Sequence, residues 1–167
     1  MVKERLDDLD RKLVSILSRD GRLSPGTIAG QTGVTGPTIR TRIKVLLEKG
    51  ALRIAGLVDP FKVRGLTIAL VCVTLKSHHQ IDEKLDQISR LPKVNWAAVV
   101  TGRYDIMIEV VLSEETADLY RFIDQDLSQV GGINSSETFV VMNARRKWVM
   151  LPRGVKHWLN QSREETS

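Results

Sequence analysis

The 167-residue sequence predicts an α+β fold in two parts: three short helices with a β-wing over residues 1–60, then a β-α-β-β-α-β unit over 61–150. Three observations predict it. Before residue 50, apolar residues recur three and four apart in short blocks separated by Gly and Pro. After residue 65 the pattern changes to runs rich in Val, Ile and Thr, interleaved with two amphipathic stretches of helical period. Charge divides at the same place, with 13 Lys/Arg against 7 Asp/Glu in residues 1–64 and 9 against 11 in residues 65–150. The remaining residues, 151–167, form a tail to which no element is assigned.

In the first helix Leu6, Leu9, Leu13, Ile16 and Leu17 share one face, and Asp8, Asp10, Arg11 and Lys12 lie on the other. Asp20-Gly21 ends it. The second helix has Ser24 as N-cap and Pro25 at its first position, buries Ile28 and Ala29, and ends near Thr32-Gly33. The third begins at Thr35-Gly36-Pro37, either of the first two being the cap, and stops at Gly50. Ile39, Ile43, Leu46 and Leu47 are assigned to its buried arc. The run Leu52 to Pro60, alternating and broken by Gly56, suits a small β-wing.

Three short helices with a tight Gly-Val-Thr-Gly turn between the second and third describe a winged helix-turn-helix. Its third helix turns Thr38, Thr41 and Val45 outward, with Arg40 and Lys44 on one flank and Arg42 on the other. Cations on the flanks neutralise phosphates, and short residues near the helix start, Pro37, Thr38 and Thr41, approach base edges. Double-stranded DNA is therefore the expected partner, through Pro37, Thr38, Arg40, Thr41, Arg42 and Lys44. An ordinary solvated face is the competing reading, and for Arg42 pairing with an acidic neighbour also stays open. Arg22 and Arg53 are weaker phosphate candidates.

In the second part, Leu66 to Leu75 is apolar on both alternating faces, as in a strand buried on both sides. An amphipathic helix follows near Gln80–Arg90, burying Ile81, Leu85 and Ile88 and stopped by Pro92. Strands near Val94–Val100 and Asp105–Leu112 are joined around Thr101-Gly102-Arg103-Tyr104. Ser113 is placed to cap a second helix, with Glu114 and Glu115 favoured in its first turn by the helix dipole. That helix is expected to bury Tyr120, Ile123, Leu127 and Val130 and to stop at Gly131-Gly132. A last strand runs from about Asn134 to Asn143. The order is ferredoxin-like, with helices on one sheet face only. The other face is largely apolar, so a homodimer through it is expected, which would also pair two DNA-reading helices.

The stretch Leu6-Asp7-x-x-Asp10-Arg11-Lys12-Leu13-x-x-Ile16-Leu17-x-x-Asp20-Gly21-Arg22 resembles the opening of the Lrp/AsnC (feast/famine) transcriptional regulators. Thr38-Ile39-x-x-Arg42-Ile43-x-x-Leu46-x-x-x-Gly50 is similar to the same family. So are the Gly-x-Tyr-Asp turn at Gly102–Asp105 and the closing strand with Thr138, Phe139 to Val141 and Lys147. The resemblance spans roughly residues 6–148, and Gly36-Pro37 departs from the pattern. It implies a RAM-type second domain, dimers assembling further, often to octamers, and a small effector between dimers, typically an amino acid. The matching positions are Thr101, Gly102, Tyr104 and Asp105, with Ser136 and Thr138 from the last strand. A carboxylate such as Asp105 suits an ammonium, and a Gly-containing turn offers N–H groups to a carboxylate. Gly102 and Asp105 equally suit a plain strand-to-strand turn.

Other functions have weaker support. The longest apolar run is about half of the roughly 20 residues a membrane helix needs, and no apolar leader opens the chain, so a cytoplasmic protein is expected. The single Cys72 lies in that run and reads as a core residue. His78-His79 has no third ligand at zinc spacing, and no metal or cofactor is expected. No phosphate-binding loop, nucleophile elbow or His-Glu-x-x-His helix is present, so no catalytic residue is assigned. The alternative of another class is a tetrapyrrole enzyme similar to the siroheme decarboxylases, which share this architecture. The basic third helix and the lack of histidine in the second part's predicted strands weigh against it.

Overall fold

In the computed structural model, which describes residues 5–113 and 116–155, the chain divides between Gly56 and Leu57 into two units. No helix among the described residues is long and apolar enough to cross a membrane.

The first unit holds α1 (Asp8–Arg19), α2 (Pro25–Thr32) and α3 (Gly36–Glu48). A reciprocal capping box starts α1: the Asp10 N–H donates to Asp7 Oδ1 at 2.8 Å, and the Asp7 N–H to Asp10 Oδ2 at 3.4 Å. Asp10, expected on the polar face, is consequently buried. Ser24 caps α2 by accepting from the Thr27 N–H at 3.1 Å. Thr35 occupies the N-cap position of α3, but its hydroxyl pairs with that of Thr38 at 2.9 Å and caps no backbone N–H. At the far end Gly50 has φ 67°, which lets the Ala51 N–H reach back to the Leu46 carbonyl at 3.0 Å. Leu13, Leu17, Ile28 and Ile39 form the core.

Two further expectations need correction in this unit. Leu47 is 41% exposed, not buried. Ile39, Ile43 and Leu46 already span the arc that meets the core, and Leu47 lies about 100° beyond Leu46. Nor does the run from Leu52 form a wing, because residues 52–57 belong to no strand. A hairpin needs a second strand, and this run's one β-bridge joins Val58 to Val149, inside the second unit.

The second unit runs β1 (Thr67–Leu75), α4 (Ile81–Ser89), β2 (Val94–Val99), β3 (Ile106–Leu112), α5 (Thr116–Arg121) and β4 (Ile133–Val140). The sheet order is β2-β3-β1-β4, each neighbouring pair antiparallel. Ala69, Val71 and Val73 of β1 face the helices together with Ile106, Ile108 and Val110 of β3 and with Ile88 and Phe122. On the opposite face Leu66, Ile68 and Val111 pack under Val149 and Val155. Residues 151–155, the described start of the tail to which no role is assigned, thus pack against one end of the sheet through Leu151 and Val155. Elsewhere on that face Trp96 and Phe139 remain 37% and 47% exposed.

The helix after β3 departs from a plain α-helical register. Beyond Arg121 it continues as a π-helical turn over Phe122–Leu127 and a 3-10 turn over Ser128–Val130. A wider turn puts residues five apart on one face, so Phe122 and Leu127 are both buried. Tyr120, assigned to the core by helical spacing, is 66% exposed. Glu114 and Glu115 lie outside the described residues. At the start of this helix Asp118 accepts from the Ser113 N–H at 3.0 Å and pairs with Lys93. Burial works to raise the Asp118 pKa, but those partners outweigh it and hold the carboxyl below its usual range.

Phe122→Ala should cost about 3–5 kcal/mol in urea unfolding, whereas Tyr120→Ala should change stability by less than about 1 kcal/mol. Equal losses would show that the buried face is misassigned.

Candidate nucleic-acid interface and effector site

Helix α3 offers one continuous outer surface, with Pro37, Thr38, Arg40, Thr41, Lys44 and Val45 all exposed. In its first turn the Thr35 and Thr38 hydroxyls pair with each other, and the Thr41 hydroxyl donates back to the Pro37 carbonyl at 3.1 Å. Arg40 has no carboxylate partner among the described residues. Lys44 stands 3.7 Å from Glu48 one turn on, a solvated pair of the kind that contributes little. Short hydroxyl side chains therefore sit at the helix start, with cations further along.

Arg42 does something different. Its Nη1 lies 2.7 Å from Asp7 Oδ2 and 3.4 Å from Asp10 Oδ1, so it ties α3 to the capping box of α1. The Asp10 N–H above all, and then the Arg42 guanidinium, hold the Asp7 carboxyl below the ordinary carboxylate range. The pairing left open in the sequence is the one the structure contains. Arg22 is likewise engaged, by Asp20 at 3.1 Å, whose carboxyl it holds low. Arg53 is exposed.

The expected effector residues Thr101, Gly102, Tyr104 and Asp105 lie together on the β2–β3 turn. Gly102 has φ 118°, which a side chain rarely adopts. The Asp105 N–H donates to the Val73 carbonyl at 2.9 Å, and its Oδ2 accepts from the Leu75 N–H at 2.7 Å. Asp105 therefore laces the turn to the end of β1. Ser136 pairs with Val73 and lies one strand over from that contact, whereas Thr138 pairs with Val71, further along.

Two neighbours were missed by sequence reasoning. His78 Nδ1 stands 3.3 Å from Asp105 Oδ1, and the Arg103 guanidinium lies 5.4 Å from the Tyr104 ring centroid and 3.9 Å from Glu137. His78 follows β1 and Asp105 precedes β3, so no spacing rule joins them. Arg103 lies inside the quoted motif at a variable position. A separate cavity of about 600 Å³ lies at the opposite end of β1, lined among others by Pro60, Leu66, Ile68, Leu112 and Val141. None of the expected effector residues lines it.

Comparison with known proteins follows the same division. A family model described as the AsnC-type helix-turn-helix domain matches residues 6–47, and one described as the Lrp/AsnC ligand binding domain matches residues 68–148. An uncharacterized HTH-type transcriptional regulator of Pyrococcus abyssi is 30% identical over 147 residues, 87% of this chain and 91% of the relative. The structure of Escherichia coli AsnC superposes with a TM-score of 0.67 at 25% identity, covering 86% of this chain and 97% of that one. A transcriptional regulator from Neisseria meningitidis, solved as a complex with L-Met, shares the fold with a TM-score of 0.68 at 20% identity, covering 89% and 97%.

Arg42→Ala should lower the thermal midpoint at neutral pH by a few degrees. A depressed carboxyl stabilises above its unfolded pKa and loses that contribution as pH falls through the folded value. The deficit should therefore shrink once the pH drops below the ordinary Asp value of 3.8. A pH-independent deficit would exclude the ion pair as its source.

Proposed function

Since the chain belongs to the Lrp/AsnC family of transcriptional regulators, with a helix-turn-helix ahead of a ligand-binding domain, we propose that it reads specific DNA sequences under the control of a small effector, an amino acid in class. The observation that carries this reading is the outer surface of α3. Arg40 and Lys44 are exposed beyond a first turn of exposed Pro37, Thr38 and Thr41. Phosphates take the cations, and hydroxyls of that size reach base edges in a major groove. Arg42 serves this surface by orienting α3 on α1.

The helix-free sheet face supports a homodimer. Trp96 and Phe139 keep apolar area in water there, beside a buried Glu109 that already has its partners. A two-fold dimer presents two α3 helices to a symmetric site, and further assembly, to an octamer as in the resemblance, would join several such sites. The effector site proposed is the Thr101–Asp105 turn, with Ser136 and Thr138 weaker. An ammonium would compete with His78 for Asp105 Oδ1, and N–H groups around Gly102 would take the carboxylate. Because Asp105 also holds the Leu75 N–H, effector binding is linked to the end of the central strand.

Arg40→Ala and Lys44→Ala should each weaken binding to a labelled fragment of the protein's own upstream region and flatten its salt dependence by about one unit of log–log slope. Gel-filtration volume should not change. Unchanged affinity in both would remove α3 as the reading helix. For Asp105→Ala, an amino-acid screen against that complex should show a blunted response with basal DNA binding retained. A full response would relocate the effector site.

A further inference from the structure

Charge is also divided within the second unit. Residues 77–137 carry 5 Lys/Arg against 11 Asp/Glu, whereas residues 138–163 carry six Lys/Arg and no Asp or Glu. Where it is described, this basic stretch leaves β4 and returns across the sheet as a strap with three anchors. Lys147 pairs with Glu109, which is only 3% exposed and also accepts from Asn95 Nδ2 at 2.7 Å. Val149 exchanges two backbone hydrogen bonds of 2.9 Å with Val58. The Gly154 N–H donates to the Pro92 carbonyl at 2.7 Å, in a contact so close that a Cβ at Gly154 would lie 2.8 Å from Pro92.

Arg145 and Arg146 just before the first anchor, and Arg153 between the last two, are exposed, and none has a carboxylate partner among the described residues. Arg146 sits at φ 57°, a left-handed conformation that a residue with a side chain rarely adopts. Arg145 Nη1 is fixed by Asn143 Oδ1 at 2.7 Å. Like charges held on an anchored strap repel one another, a cost that a polyanion relieves. Val58, to which the strap is bonded, is the second residue of the second unit.

We propose that this strap is a second, sequence-independent contact surface for the DNA backbone, with Arg145, Arg146 and Arg153 binding phosphates. The proposal rests on the DNA-binding reading above and extends it from the first unit to the second.

The test is fluorescence anisotropy with a random-sequence DNA duplex over a potassium chloride series. The strap variant combines Arg145→Ala with Arg146→Asn, since Asn tolerates the left-handed backbone. A control pair, Lys76→Ala with Arg90→Ala, removes the same charge from exposed positions elsewhere in the second unit. The strap variant should lose about tenfold in affinity and about two units of log–log salt slope, and the control should stay within about twofold of wild type. Equal behaviour of the two pairs overturns the proposal, and loss of binding only to phosphatidylserine–phosphatidylcholine vesicles overturns it as well. Arg40→Ala separates the two readings: if it weakens binding while the strap variant matches the control, only the strap fails. No binding of the random duplex by the wild type overturns the strap, and the DNA-reading proposal falls with it only if the upstream-region fragment is not bound either. Should the strap variant melt early, Arg153→Ala carries the same comparison, with about one unit of slope expected.

Discussion

Strand β1 pairs with β3 from Thr67 to Val73 and with β4 from Ala69 to Leu75, and buries Ala69, Val71 and Val73 on one face and Ile68 and Cys72 on the other. Both edges being paired, its backbone polar groups are satisfied only if every neighbour is in register. The helices must cover Ala69, Val71 and Val73, and the strap must cover Ile68. At its far end the last N–H, that of Leu75, goes to a side chain, Asp105. Through Asp105 the proposed effector turn is thus tied to the strand on which the unit is built.

Much of this was legible because it is written in local chemistry. Ser24-Pro25, Gly33 and Gly50 mark helix ends through conformations few other residues supply, and each lies where expected. The apolar run of β1 identifies a strand with little solvent on either face, although not its place in the sheet order. What failed was pattern without a partner. The alternation after Leu52 has the look of a strand, but pairing depends on a second segment, and Val149 is far off in sequence. Helical spacing named Tyr120 where the chain buries Phe122, because the period assumed for the whole helix does not hold past Arg121.

The candidate sites divide along the same line. Arg40 and Lys44 could be read from one helix, where an angle of about 100° per residue fixes who faces out. Arg42 could not, since its partners Asp7 and Asp10 come from another helix and serve the cap of α1 as well. The Asp105–His78 and Glu109–Lys147 pairs join groups at opposite ends of intervening elements, with only the finished sheet to bring them together. A buried Glu109 in a run of Val and Ile was nonetheless a signal that a cation had to arrive from somewhere.

The π-helical turn at Phe122–Leu127 has a consequence for descent. Such a turn is an α-helix carrying one extra residue, and removing that residue restores the regular ladder without moving the strands on either side. Related chains can therefore differ by a single-residue gap inside this helix, a place where gaps are otherwise selected against. An aligner that pushes the gap into the following Gly131-Gly132 loop would shift the register of every helical position after Phe122, and pair Leu127 with a solvent-facing residue of its counterpart.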